Sequence, residues 1–143
     1  MQATAERPPP PAATRARIVL VEDDRNSGEA ICELLGFLGY DCRWLGTADA
    51  AFALLTNAEE GERDVLMLDL ALRHGEDGVG LVRRLRASGA RVPPILIFSA
   101  RPAATLREAM RETGACGVLG KPAGVDAMCR AIDAAKASRS EPH

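Results

Sequence analysis

Between residues 18 and 137, short unbroken apolar runs alternate with longer stretches in which apolar side chains return every three or four positions. The runs read as buried strands, the stretches as amphipathic helices packed against them. Strands are predicted over residues 18–21, 42–45, 64–68, 95–98 and 117–119. The first helix carries Ile31, Leu34, Leu35 and Leu38 at helical spacing and stops at Gly39, a residue suited to a left-handed cap. Thr47 caps the second helix, whose apolar face is Ala51, Phe52, Leu54 and Leu55. In the third, Val79, Val82 and Leu85 turn inward and Arg83, Arg84 and Arg86 face water. Pro93-Pro94 opens the fourth strand, where a missing donor is tolerable, and Pro102 suits the first turn of a helix ending near Gly114. The last helix presents Val125, Met128, Cys129 and Ile132 on one face.

Strand-helix alternation repeated five times implies a parallel sheet with crossover helices on both sides. Right-handed crossovers make this a doubly wound five-stranded α/β fold in three layers, with the flavodoxin-like order 2-1-3-4-5. The domain is expected over residues 17–137. Residues 1–16, with Pro8-Pro9-Pro10-Pro11 and no apolar periodicity, read as an extended tail or linker, and residues 138–143 as a frayed end.

Composition narrows the class. A chain of 143 residues fits one domain that buries roughly two thirds of its unfolded surface. With 47% hydrophobic and 27% charged residues and a formal charge of −2, it has no global attraction to nucleic acid or to anionic membrane. No direct nucleic-acid or membrane partner is expected, and a cytoplasmic location is the default. Cys32, Cys42, Cys116 and Cys129 are scattered without a C-x-x-C pair, so they read as small core or surface thiols rather than a zinc or dithiol site. The first strand-to-helix turn carries acids where a dinucleotide fold needs a glycine-rich loop.

The chemistry gathers at the carboxyl ends of the strands, where such sheets bind their ligands. Asp69 closes the run Val65-Leu66-Met67-Leu68, and burying its carboxylate is costly unless something uses it. Strand one runs into Glu22-Asp23-Asp24, strand four into Ser99, and strand five delivers Lys121 just beyond Gly120. Carboxylates crowded in one crevice repel unless protonated or neutralised by a cation, and an all-oxygen cluster with room for water suits magnesium. Asp69 is then placed to attack a phosphoryl group in line, with Lys121 absorbing charge on the transferring oxygens and Ser99 donating to the product. Taken singly, each residue has a plainer reading: Asp23-Asp24 as helix caps, Ser99 as a turn residue, Lys121 as a solvated charge. Trp44, the single tryptophan, is the optical probe if strand two lies near the crevice.

Four segments together resemble the receiver domain of bacterial two-component response regulators: Val21-Glu22-Asp23-Asp24, Leu68-Asp69-Leu70, Phe98-Ser99-Ala100 and Lys121-Pro122. The resemblance implies Asp69 as phosphoacceptor, Ser99 and Lys121 as its catalytic partners, and a proline after Lys121 in the cis form. It implies Mg2+, or Mn2+, held by Glu22, Asp23, Asp69 and the Ala71 backbone carbonyl. It also implies a histidine kinase or histidine phosphotransfer domain as donor, and a downstream protein reading the face of helix four, strand five and helix five. That face offers a homodimer contact as well. A stand-alone receiver and a piece of a hybrid histidine kinase both fit the pattern.

Some positions depart from the family. Arg73 replaces the usual proline four residues after the acceptor, Asp77-Gly78 comes one residue late, and Val118 stands where many receivers carry a switch aromatic. The protein is expected to be a signalling module rather than a turnover enzyme. Two alternatives stand beside that reading. One is an interaction module that keeps the fold without taking phosphate. The other is a magnesium-dependent phosphohydrolase of the haloacid dehalogenase type, which needs a second acid where this chain has Ala71.

Overall fold

The computed structural model describes residues 14–60, 62–72 and 76–139. Pro8 to Pro11, Arg73, His74 and the last four residues of the chain lie outside the described residues, so the expectations placed on them stay as stated. The elements run β1 (Arg17–Val21), α1 (Arg25–Phe37), β2 (Asp41–Leu45), α2 (Ala48–Leu55), a 3-10 turn (Ala58–Glu60), β3 (Val65–Leu68), α3 (Gly78–Ala87), β4 (Ile95–Ser99), α4 (Ala103–Thr113), β5 (Gly117–Gly120) and α5 (Val125–Ser138). All strand pairs are parallel, in the order β2-β1-β3-β4-β5. This is the flavodoxin-like α/β architecture expected from the alternation.

Side chains on successive strand residues point to opposite faces, and the apolar runs are apolar on both because both faces are covered. Val19, Val21, Leu66, Leu68, Ile95 and Ile97 meet Leu54, Leu81, Leu85 and Leu106 from α2, α3 and α4. Ile18, Leu20, Val65, Met67, Leu96 and Phe98 meet Leu35, Met128 and Ile132 from α1 and α5. Two half-cores flank one sheet, which makes three layers.

Local signals act largely as their chemistry requires. The Thr47 hydroxyl accepts from Ala50 N–H at 3.0 Å and starts α2. Gly114 ends α4 in the left-handed region at φ 71°, and Gly39 takes φ 95° two residues beyond α1. Strand β3 begins one residue later than expected. Asp64 closes the start of β1 from both groups: its N–H donates to the Arg17 carbonyl at 2.8 Å and its carboxylate accepts from Arg17 N–H at 2.8 Å.

Three expectations about helix faces change. Val125 is exposed at the start of α5, and Ala135 takes the buried position one turn beyond Ile132. In α3, Leu81 is fully buried while Val79 is only partly so. Arg84 does not simply face water: its guanidinium lies 4.0 Å over the Phe52 ring and pairs with Asp49 at 2.8 Å and Glu76 at 2.6 Å.

Packing reaches past the expected limits of the domain. Ala16 is buried, Arg15 N–H donates to the Gly39 carbonyl at 2.8 Å, and the Arg139 guanidinium donates to the Arg63 carbonyl at 2.6 Å.

Candidate functional site

Three strand ends meet in one crevice. β1 lies between β2 and β3, and Leu68 is in register with Val21, so the residues that follow each, Asp69 and Glu22, emerge side by side. The Asp69 N–H donates back to the Val21 carbonyl at 3.1 Å, which continues the ladder and fixes where the side chain leaves the backbone. Carboxylate oxygens of Glu22, Asp23 and Asp69 all lie within 4.8 Å of one another. Glu22 is 2% exposed and Asp69 6%.

β5 supplies the opposing charge. The Lys121 ammonium donates to Glu22 Oε1 and, at 3.2 Å, to Asp69 Oδ2, while resting 4.8 Å over the Phe98 ring. The Lys121–Pro122 peptide is cis, as the resemblance implies. Burial works against the ammonium, but the hydrogen bond to Glu22 and the charges of Asp69 and Glu22 outweigh it and raise the amine above the ordinary lysine value. At Glu22 burial dominates: its carboxyl is raised despite the hydrogen bonds from Lys121 and Asp24 N–H, and the Asp69 charge adds to the rise. The two shifts have one origin, the Lys121–Glu22 contact in a buried setting, which favours the ammonium while burial works against the carboxylate.

Asp69 is oriented from both sides. Its Oδ1 accepts from Ala71 N–H at 2.9 Å while Oδ2 faces Lys121. The loop folds back tightly here, and a Cβ at Gly78 would lie 2.8 Å from the Asp69 carbonyl oxygen, so only glycine fits against that backbone. Asp77 sits next to it but caps α3, accepting from Gly80 N–H at 2.8 Å. Asp24 precedes α1 and accepts from the Ser27 hydroxyl at 2.6 Å.

Ser99 ends β4, is 1% exposed, and joins the site through its backbone: its carbonyl accepts from Lys121 N–H at 2.9 Å. Its hydroxyl accepts from Arg101 N–H at 3.2 Å, a direct link to the segment that opens α4. The strand ends thus bring Glu22, Asp23, Asp69 and Lys121 together, with Ser99 on the adjoining strand and Ala71 tied to the Asp69 carboxylate.

Two neighbours make contacts that their spacing in the sequence did not announce. Trp44 Nε1 donates to the Glu22 carbonyl at 2.6 Å, so strand two does lie beside the crevice. Phe98 forms the floor under the Lys121 ammonium. Both contacts join positions far apart along the chain, and only the strand order reveals them. Beside the site, an apolar cleft of about 530 Å³ runs between α1 and the start of α5, lined by Ile31, Leu34, Ala123 and Met128 and bordered by Glu22 and Lys121.

A buried aspartate beside two further acids, an ammonium and a hydroxyl-bearing strand end is an arrangement for taking up an anionic group under cationic compensation. Comparison with known proteins leads to the same place. The sequence pattern of the response regulator receiver domain matches residues 18–133. The swarming motility regulation protein RssB of Serratia marcescens is 36% identical over 106 residues, covering 73% of this chain and 46% of that protein. The transcriptional regulatory protein PmrA of Pectobacterium parmentieri is 34% identical over 106 residues, with 74% and 46% covered. The chain therefore spans about half the length of these relatives. Among solved structures, the non-phosphorylated HemR receiver domain of Leptospira biflexa superposes with a TM-score of 0.73 at 28% identity, covering 90% of this chain and 98% of that one. A response regulator receiver protein from Burkholderia phymatum gives 0.73 at 29%, with 85% and 95% covered. With its strand order, its crevice of acids and its match over residues 18–133 in agreement, the chain belongs to the response regulator receiver domain family.

Proposed function

We propose that this receiver domain accepts a phosphoryl group on Asp69 from the phosphohistidine of a histidine kinase or a histidine phosphotransfer domain. The observation that carries this reading is the Lys121 ammonium held against Asp69 Oδ2 at the edge where Glu22 and Asp23 converge. In the transfer, an Asp69 carboxylate oxygen forms the new P–O bond as the P–N bond to the imidazole breaks, and the donor nitrogen keeps the electron pair. Ala71 N–H and Lys121 each hold one carboxylate oxygen, which fixes the orientation of the group for attack. Lys121 then follows the charge onto the phosphoryl oxygens.

Glu22, Asp23 and Asp69 form an all-oxygen set compact enough for a small hard cation, with Asp23 half-buried and open to water. These three, with the Ala71 carbonyl, are the residues proposed to hold Mg2+ or Mn2+. Such an ion supplies neutralisation of the clustered carboxylates and of the transferring phosphoryl group.

Ser99 turns the modification into a movement. Its hydroxyl donates to a phosphoryl oxygen of the product, which draws the end of β4 inward and strains the hydrogen bond it receives from Arg101 N–H. α4 begins just beyond. Val118, in register with Ile97, has no ring to rotate, so the change passes through backbone and α4 to the face formed with β5 and α5. That face is proposed to meet the downstream protein or a second copy. The apolar cleft beside Lys121 is proposed as the seat of the phosphodonor, since a partner resting on Ile31 and Leu34 brings its imidazole to the acid edge. These steps belong to a cytoplasmic signalling module that is modified once per cycle. A phosphohydrolase reading is disfavoured because Ala71 offers no second acid.

Intact-mass measurement after incubation with acetyl phosphate and Mg2+ tests the assignment. The parent gains about 80 Da, one phosphoryl group, and Asp69→Asn gains nothing. Equal labelling of both proteins places the acceptor elsewhere, and a parent that never labels leaves the noncovalent interaction module as the function.

A further inference from the structure

Cys32 on α1 and Cys42 on β2 stand ten residues apart in the chain, yet their Sγ atoms lie 2.7 Å from each other. A covalent S–S bond is about 2.05 Å, so the pair needs only a small approach to close. Neither thiol is sealed away, since both residues are partly exposed. The partner elements are held in place independently of the sulfurs. β2 is the edge strand beside β1, and α1 lies so close over it that a Cβ at Gly28 would come 2.2 Å from Trp44 Nε1. The remaining two cysteines have other surroundings: Cys116 is exposed with its sulfur 3.3 Å from the Ile95 carbonyl, and Cys129 sits on α5.

We propose that Cys32 and Cys42 form a reversible disulfide, made by exchange with a low-molecular-weight disulfide and joining α1 to β2. The Cys32 thiolate attacks one sulfur of the oxidant and expels one thiolate. The Cys42 thiolate then attacks the Cys32 sulfur of the mixed disulfide and expels the second. Two thiol protons leave, two electrons pass to the oxidant, and one disulfide has become two thiols. The hydrogen bond between the thiols lowers Cys32 and raises Cys42, where burial adds to the rise, and with the sulfurs 2.7 Å apart whichever is modified first has its resolving partner in contact. In a reducing compartment such a bond is transient, which makes it a modification of the protein and not part of its framework.

α1 starts directly after Glu22, Asp23 and Asp24, and Trp44 on β2 holds the Glu22 carbonyl. The link therefore ties together two elements that border the acid pair, α1 following it in the chain and β2 holding the Glu22 carbonyl through Trp44. This inference does not depend on phosphorylation of Asp69 and is tested without it.

The experiment treats the full chain with oxidised glutathione under native conditions, quenches with iodoacetamide and reads the masses of proteolytic peptides. No lysine or arginine falls between Arg25 and Arg43, so one tryptic peptide, 26–43, holds both cysteines. The expected product is that peptide lighter by about 2 Da and carrying no alkyl group, regaining two alkyl groups after reduction. Cleavage at Glu33 leaves its halves linked. The Cys116→Ser/Cys129→Ser variant, which retains the pair, gives the same product, while Cys32→Ser and Cys42→Ser each lose it. In the parent, oxidation also raises the melting temperature by several degrees and dithiothreitol reverses it. Alkylation of both Cys32 and Cys42 after treatment, or stable glutathione adducts on them in place of the cross-link, overturns the proposal.

Discussion

At Glu22 a carboxylate is almost completely removed from water and held there by the Lys121 ammonium and the Asp24 N–H, while Asp69 presses on it with like charge. Burial raises its folded-state pKa above the ordinary value of 4.5, so the fold binds that proton more tightly than the unfolded chain does. Stability contributed by the protonated form is therefore present below pH 4.5 and is lost as pH climbs through the raised value. Glu22→Gln carries no such proton. In urea melts with chelator present, the parent is expected to lose stability relative to Glu22→Gln as pH rises above the ordinary value of 4.5. A parent that gains on the variant over that rise contradicts the burial argument. Trp44 gives the companion readout. Because its indole N–H is bonded to the Glu22 carbonyl, Mg2+ titration is expected to change its emission in the parent and to leave Glu22→Gln flat at the same concentrations. An unchanged parent signal would detach the metal from the Glu22 loop.

At the scale of elements, α1 is the helix whose two faces do different work. Leu35 is fully buried under the sheet, whereas Ser27, Ala30, Ile31 and Leu34 border the cleft beside Lys121. Three residues beyond Leu34, in the same row, Phe37 is 84% exposed. An aromatic ring left in water at the end of an apolar row is a candidate anchor for a partner helix. Phe37→Ala is expected to weaken phosphotransfer from a protein donor about tenfold through the apparent affinity, with labelling by acetyl phosphate unchanged. A loss in both assays would mean that Phe37 acts on the fold, and a loss in neither would remove it from the donor surface. α3 illustrates how far face assignment from spacing extends. Arg84 follows a buried Val82 and reads as solvated, yet Phe52 from α2 offers it a ring and Asp49 and Glu76 offer it charge.

Across the whole molecule, the sheet divides the interior so that α1 and α5 hold one half-core and α2, α3 and α4 the other. Ile132 belongs to the first and is fully buried, on a helix that packs against β3, β4 and β5. Removing its side chain opens a cavity that a sheet anchored on its other face cannot collapse. Ile132→Ala is expected to cost about 2–5 kcal/mol in chemical denaturation. Phosphoryl uptake by the folded fraction should survive, because no side chain of α5 touches the acids among the contacts of the site. A cost below the cost of an exposed substitution would show that this half-core is looser than its burial implies.

How much of this was legible in the chain follows from the range of the forces involved. Apolar runs of four, helical spacing, Thr47 as a cap and Gly114 as a stop are local. They set the elements, and parallel connectivity with right-handed crossovers then left few orders for the sheet. The acids and Lys121 were legible for the same reason, since each follows a strand whose carboxyl end must face the crevice. Contacts between distant segments were not. Nothing in the spacing announced that Trp44 would hold the Glu22 carbonyl, that Phe98 would lie under Lys121, that Arg84 would rest on Phe52, or that two scattered cysteines would touch. Sequence alone determined the periodicity, and with it the layers and the line-up of charges at one edge, because the hydrophobic effect acts on each residue wherever its neighbours are. Tertiary structure alone decided which side chains meet, because a hydrogen bond or a thiol pair exists only within a few ångströms, and that distance is set by how strands pair and helices cross.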